Sequence, residues 1–161
     1  MAALDVDLNI SAVGKTRNSK FSANGTDVFF RGAIVFIDAT GGVQSVPVDG
    51  DRVLGICPYY QTSVAGDEVD VIVQGLIWMP LGLAIAVGDE GDILMVDNDV
   101  TLSDNVADHP STIATQTATQ LTVGDMAIGR ILRVKSDKML LGITPAITGS
   151  IITAAAVLQF D

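Results

Sequence analysis

The stretch SVAGDEVDVIVQGLIWMP, residues 63–80, decides how the rest of the chain is read. Gly66-Asp67 supplies a turn, because Gly accepts unusual backbone angles and Asp bonds the turn backbone. Val69, Val71 and Val73 then alternate with Glu68, Asp70 and Ile72, and the run continues through Gly75 and Trp78 to Pro80. Period-2 alternation of β-branched residues after a turn predicts one long strand. The same Gly-Asp pair returns at 50–51, 88–89, 91–92 and 124–125. Working outward from 63–80, the chain reads as strands separated by repeated acidic turns.

Composition agrees with that reading. The 161 residues suit one domain, and 48% hydrophobic content can fill a core. Aromatics are only 5%, so the core must be aliphatic. The acid is nearly all Asp, with Glu only at 68 and 90. Asp favours turns and caps where Glu favours helices. No segment sustains a 3.6-residue period over three turns. The expected fold is mainly β, short strands joined by turns, with an extended N-terminal arm and little helix.

Along the chain, residues 1–26 are polar and carry Lys15, Arg17 and Lys20 ahead of Phe21. They read either as a loosely held terminus or as an extended arm lying on an acidic partner. Residues 27–145 form the expected β-rich domain. Within it, DVFFRGAIVFID, VQSVPV and RVLGICP give short strands, and MAIGRILRVKSDKMLLGITP gives a hairpin around Ser136-Asp137. Residues 98–120 are polar and Thr/Ser-rich and read as a surface loop. Residues 146–161 end apolar, as a strand, an arm or a short helix. One internal echo stands out: VDGDRVLGI at 48–56 resembles TVGDMAIGRI at 122–131. Each has Gly-Asp and a second Gly shortly after, but the match is too short to establish a duplicated domain.

The net charge of −10 argues against nucleic acid, whose phosphates would be repelled. The start of the chain lacks the basic-then-apolar pattern of a signal peptide. The longest apolar run, GLIWMPLGLAIAVG, is interrupted by Pro80 and Gly82 and falls short of the about 20 residues a bilayer requires. A soluble protein made in a cytosol is expected, with no membrane partner. The run is read as core, or as a subunit interface centred on Trp78, Met79, Pro80 and Leu81.

Residues able to do chemistry are few. Cys57, the single Cys, lies in an apolar stretch and is expected to be a buried, inert thiol. His109, the single His, sits before a Pro in a polar loop, without the partners that a triad or a zinc site needs. Asp97, Asp99 and Asp104 offer hard oxygens for Ca²⁺, but the Gly of an EF-hand loop is missing, and solvated turns account for them equally. No carboxylate pair or phosphate loop stands out. No cofactor, no metal and no catalytic residue is expected.

The order of parts adds a further expectation. RGAIVFIDATGGVQSVPVDGDRVLGICPYYQTSVAGDEVDVIVQGLIWMP is followed by AVGDEGDILMVDNDVTLS, a Thr-rich stretch, and TVGDMAIGRILRVKSDKMLLGI. Over about residues 27–145 this order resembles the capsid decoration, or cement, proteins of tailed bacteriophages. The resemblance implies a non-enzymatic virion protein on the outer capsid surface that bridges major capsid protein subunits and stabilises the head. It also implies a small β-barrel-like or β-sandwich-like domain over 27–145 and self-association, as a homotrimer or a dimer, although monomeric arrangements also occur in that family. Lys15, Arg17, Lys20 and Phe21 are then the expected capsid contacts, and Trp78, Met79, Pro80 and Leu81 the expected subunit contacts. The alternatives are another virion component, such as a head-fibre base or tail protein, or a small β-barrel enzyme or glycan-binding module.

Overall fold

The computed structural model describes residues 7–46, 51–80, 87–91, 93–96, 115–116 and 126–149. Within them the chain is mainly antiparallel β, with one 3₁₀ turn at Val87–Asp89. The first half supplies β1 (Ser11–Ser22), β2 (Asp27–Phe29), β3 (Ile34–Ile37), β4 (Val43–Gln44), β5 (Arg52–Ile56), β6 (Gln61–Ser63) and β7 (Glu68–Pro80). The second half supplies β8 (Ile93–Val96), β9 (Thr115–Gln116), β10 (Met126–Val134) and β11 (Lys138–Ile143).

The stretch 63–80 forms the expected turn and strand. Gly66 adopts φ +87°, and the Asp67 carboxylate accepts from the Val64 N–H at 3.0 Å. β7 then runs thirteen residues and organises the main sheet. The sheet order is β4-β3-β5-β7-β11-β10-β8-β9, with β1 paired along β7 and β2–β6 forming a separate ribbon. β1 curls toward β4, where one parallel bridge joins Ala23 to Val43. Among the described residues the sheet is curled and no closed barrel is formed.

The segment expected as an arm is extended, and its residues 11–22 are strand β1, hydrogen-bonded to β7. The pairing has a defect with consequences. Val13 faces Leu76 and Arg17 faces Gln74, so Gly14, Lys15 and Thr16 together oppose Gly75. Gly75 adopts φ +147°, and a Cβ there would lie 2.7 Å from the Thr16 methyl. Only Gly fits such a bulge. β7 keeps its odd-numbered residues buried on both sides of the bulge, but the core they enter changes. Before it, Val69, Val71 and Val73 pack in one cluster with Phe29, Val35 and Cys57. After it, Ile77 and Met79 pack in the other, with Ile72, Phe36, Ile131 and Leu141. One strand thereby serves two cores.

The second half of the sheet repeats the first. The order β4-β3-β5-β7 is mirrored by β9-β8-β10-β11, and the two series meet where β7 pairs with β11. The detail repeats as well. In β5, Leu54 is skipped between the pairs Val35–Gly55 and Phe36–Val53. In β10, Ile128 is skipped between Leu94–Gly129 and Met95–Ala127. A Cβ at Gly55 would strike the Ile72 carbonyl oxygen of β7, and a Cβ at Gly129 would strike the Gly142 carbonyl oxygen of β11. The carbonyls of the matching residues Val53 and Ala127 both lie against Gly149. The Gly149 N–H donates to the Ala127 carbonyl at 2.8 Å, and a Cβ on Gly149 would lie 2.6 Å from the Val53 carbonyl oxygen. The echo between 48–56 and 122–131 thus marks equivalent strands.

Candidate binding face

After its bulge, β7 turns one side to the core and the other outward. Directly opposed residues of antiparallel strands share a face. Two cross-strand rows follow: Val13–Leu76–Gly142–Arg130 and Ser11–Trp78–Leu140–Arg133. The inward neighbours Ile77, Met79, Met139 and Leu141 are all fully buried. The outward ones are not: Val13 is 43% exposed, Leu76 36% and Leu132 39%. Gly142 leaves room between Leu76 and Leu132, and an open groove of about 410 Å³ runs there, lined also by Arg130, Ile143 and Ile147.

Cations rim this face. Lys135 and Lys138 place their ammonium groups 5.0 and 4.8 Å from the Trp78 ring centroid. Each such contact contributes about 0.5–1 kcal/mol near the surface. The Arg130 guanidinium donates to the Gly91 carbonyl at 2.6 Å. Arg133 is exposed. Residues 126–149 thus carry four cations and one acid, Asp137, in a chain of net charge −10.

The expected contact residues are distributed as follows. Lys15 and Arg17 are exposed at or beside the bulge. Arg17 lines a second shallow cleft with Phe21, Val73 and Pro145. Lys20 forms an ion pair with Asp70 at 3.1 Å. Tyr59 also donates its hydroxyl to Asp70, and Gln61 bonds the Asp70 backbone through both ends of its amide. Phe21 lies half-buried against the Val69–Val71–Val73 cluster, so it contributes mainly to packing. Trp78 and Pro80 are half-buried and line a cleft with Asn9, Ser11 and Lys138. Met79 departs from the expectation: alternation sends it to the opposite side of β7 from Trp78, where it is fully buried. Leu81, His109, Asp97, Asp99 and Asp104 lie outside the described residues.

Sequence reading missed Val13, Leu76, Leu132 and Leu140. Leu76 follows the alternation that buries Val69, Val71, Val73, Ile77 and Met79, but its neighbours across β1 and β11 come from the register, which the sequence does not reveal. The rim was partly legible, since Arg130, Arg133, Lys135 and Lys138 all fall in one predicted hairpin.

Elsewhere the polar groups build turns. The Asp38 carboxylate accepts from the Thr40 hydroxyl, the Thr40 N–H and the Gly42 N–H at 2.7–3.0 Å. The Thr40 hydroxyl, then the Asn24 side chain and Gly42 N–H, hold its pKa down to about 2. Asp27 bonds the N–H and hydroxyl of Ser45. Among the described residues, no three His, Cys, Asp or Glu side chains gather to hold a metal ion.

Cys57 is fully buried, with its sulfur 2.9 Å from the Tyr59 carbonyl oxygen and 3.3 Å from the Gln61 amide nitrogen. Burial pushes the thiol up from 9.0 to about 12, with the Gln61 donor opposing. The native protein is therefore expected to resist a thiol reagent at about pH 8 and to react once unfolded. The raised value also has a stability consequence. The contribution of the neutral thiol is complete below 9.0 and is lost as pH rises through about 12. Urea midpoints at about pH 8 and about pH 11 should therefore fall further for wild type than for Cys57→Ala. An equal fall in both would remove the thiol from the account.

The sequence matches no protein-family model and no curated protein.

Proposed function

We propose that this chain is a capsid decoration protein of a tailed bacteriophage. It binds the outside of the assembled head, bridges major capsid protein subunits and stabilises the shell, without catalysing a reaction. The observation that carries the reading is the face just described: an apolar band rimmed by cations, on an otherwise acidic chain. A large exposed apolar patch with a polar rim marks a protein-interaction surface. The order of sequence segments over about 27–145 supplies the kind of partner.

The physical mechanism needs no reactive group. A protein that binds only the assembled lattice stabilises it by mass action, in proportion to the logarithm of its saturation. Many copies spanning neighbouring subunits add avidity without new contacts. A sheet carrying two cores and two matching halves provides a rigid support for such bridging.

The test is co-sedimentation of the purified protein with unexpanded and expanded heads that lack it, prepared from the phage that encodes it. The expected result is saturable binding to expanded heads at a fixed number of copies per head. Absence of binding to both kinds of head would overturn the reading.

A further inference from the structure

We infer that the outer face of β1, β7, β11 and β10 is the docking surface, and that its occupant is a protein surface with carboxylates around an apolar centre. The inference rests on the capsid-decoration reading, which makes that occupant the assembled shell.

Three observations carry it. First, the exposed apolar side chains are not overflow from the core. The same strands fill the inner side completely with Ile77, Met79, Ile131, Met139 and Leu141, all fully buried. Val13, Leu76 and Leu132 stand on the other side, each more than a third exposed. Leu76 and Leu132 face one another across Gly142, whose missing side chain opens the groove. An apolar projection from a partner fits that opening.

Second, charge is segregated. Of nine Lys and Arg residues, four lie on the β10–β11 hairpin, and Lys15, Arg17 and Lys20 lie on β1. β1 holds no acid and the hairpin only Asp137, although Lys20 is paired with Asp70 of β7 and the Val134 N–H donates to the Glu90 carboxylate. The remaining chain therefore carries nearly all of the 19 acids. Segregation of this kind steers association and selects partners of opposite sign.

Third, the cations are placed to respond to carboxylates. Lys135 and Lys138 rest over the Trp78 ring and, among the described residues, form no ion pair. A carboxylate on the partner competes for the ammonium groups and uncovers the indole for contact. Trp and Arg at the centre of an interface commonly dominate its affinity.

Charge also argues against the other occupants. A second copy docked face to face would set Arg133, Lys135 and Lys138 against the same cations, and like charges across an interface are unfavourable. A nucleic acid would meet phosphate-repelling acid elsewhere on the chain. The face also offers it one Trp, where single strands need a series of stacking platforms.

The experiment compares wild type, Leu132→Asp and the double variant Arg133→Glu/Lys135→Glu in binding to expanded heads, each from about 0.05 to about 0.5 M salt. All three altered positions are exposed, and a cooperative thermal transition within about 4 °C of wild type verifies folding. The expected result is at least about tenfold weaker binding for each variant, with wild-type binding weakening as salt rises. Wild-type binding that both variants match would overturn the assignment of the face and leave the decoration reading standing. Failure of wild type to bind any head would overturn both. Sedimentation velocity and a labelled oligothymidylate supply the remaining arms. A wild-type oligomer that Leu132→Asp dissociates, or oligothymidylate binding that the double variant abolishes, would give the face to another occupant and overturn the inference.

Discussion

Alanine at Gly55 is expected to lower stability by about 3 kcal/mol or more, a fall of roughly 10 °C in thermal midpoint for a chain of this size. The added Cβ would collide with the Ile72 carbonyl oxygen, which is backbone and has no rotamer to change. β5 can relieve the collision only by moving off β7, to which it is registered through Ile56–Ile72. That pairing joins strands from both core clusters, so separation exposes Val53 and Ile56 on one side and Val71 on the other. Gly129→Ala should behave similarly, because the Gly142 carbonyl occupies the equivalent place. Gly25→Ala is the control. Its Cβ would meet nothing within 4 Å, and a change within about 0.5 kcal/mol is expected. Urea unfolding of the three variants checks the prediction. A Gly55→Ala protein as stable as Gly25→Ala would contradict the close approach of β5 and β7.

Phe36→Ala is expected to destabilise by about 3–5 kcal/mol. Phe36 is fully buried and is among the largest side chains in the core. It lies on β3 beside the β5 bulge and packs with Ile34, Val53 and Ile77. Those neighbours are fixed by strand pairing, so the site collapses poorly and the cavity term is retained. Phe30→Ala provides the comparison. Phe30 is half-buried, with its ring edge-to-face with Tyr60 at 5.4 Å. Part of that contact already faces water, so about 1 kcal/mol is expected. Calorimetric or urea measurements that rank the two variants in the opposite order would misplace the core.

What the sequence disclosed, and what it did not, follows from the range of each signal. The turn at Gly66-Asp67 and the alternation after it are local and were readable as a strand. The hairpin around Ser136-Asp137 was readable for the same reason. The Gly-Asp echo was visible but short. Its meaning is three-dimensional, because Gly55 and Gly129 are required by carbonyls of other strands, Ile72 and Gly142. Residues 11–22 lack an apolar alternation and read as an arm. Their strand comes from the partner: β7 offers an edge, and β1 is exposed along most of its length, with mainly Phe21 drawn toward the core. The mainly β class was readable from the turns and short strands, whereas the order of strands in the sheet depends on long-range pairing that turn counting does not address. Met79 shows the finer limit. Its neighbours in the apolar run LIWMP hid a face assignment that continuing the alternation of Val69, Val71 and Val73 through Ile77 supplies, with Met79 inward and Trp78 outward.

The candidate face was legible in its charge and not in its shape. Clustering of cations in one hairpin can be seen in the sequence. That this hairpin lies beside β1, and that Leu76 and Leu132 line a groove over Gly142, requires the sheet. The two contact sets expected separately, cations near the N-terminus and the Trp78 region, are joined by the pairing of β1 with β7. This adjacency links the proposed function to one surface.

The most direct measurement of that link is a cryo-electron microscopy reconstruction of expanded heads saturated with the protein. The account predicts density on the outer shell with the β1–β7–β11–β10 face turned toward the capsid, and with Trp78 and Leu132 within the contact. Density bound through the opposite side of the sheet, leaving Trp78 and Leu132 in solvent, would contradict it.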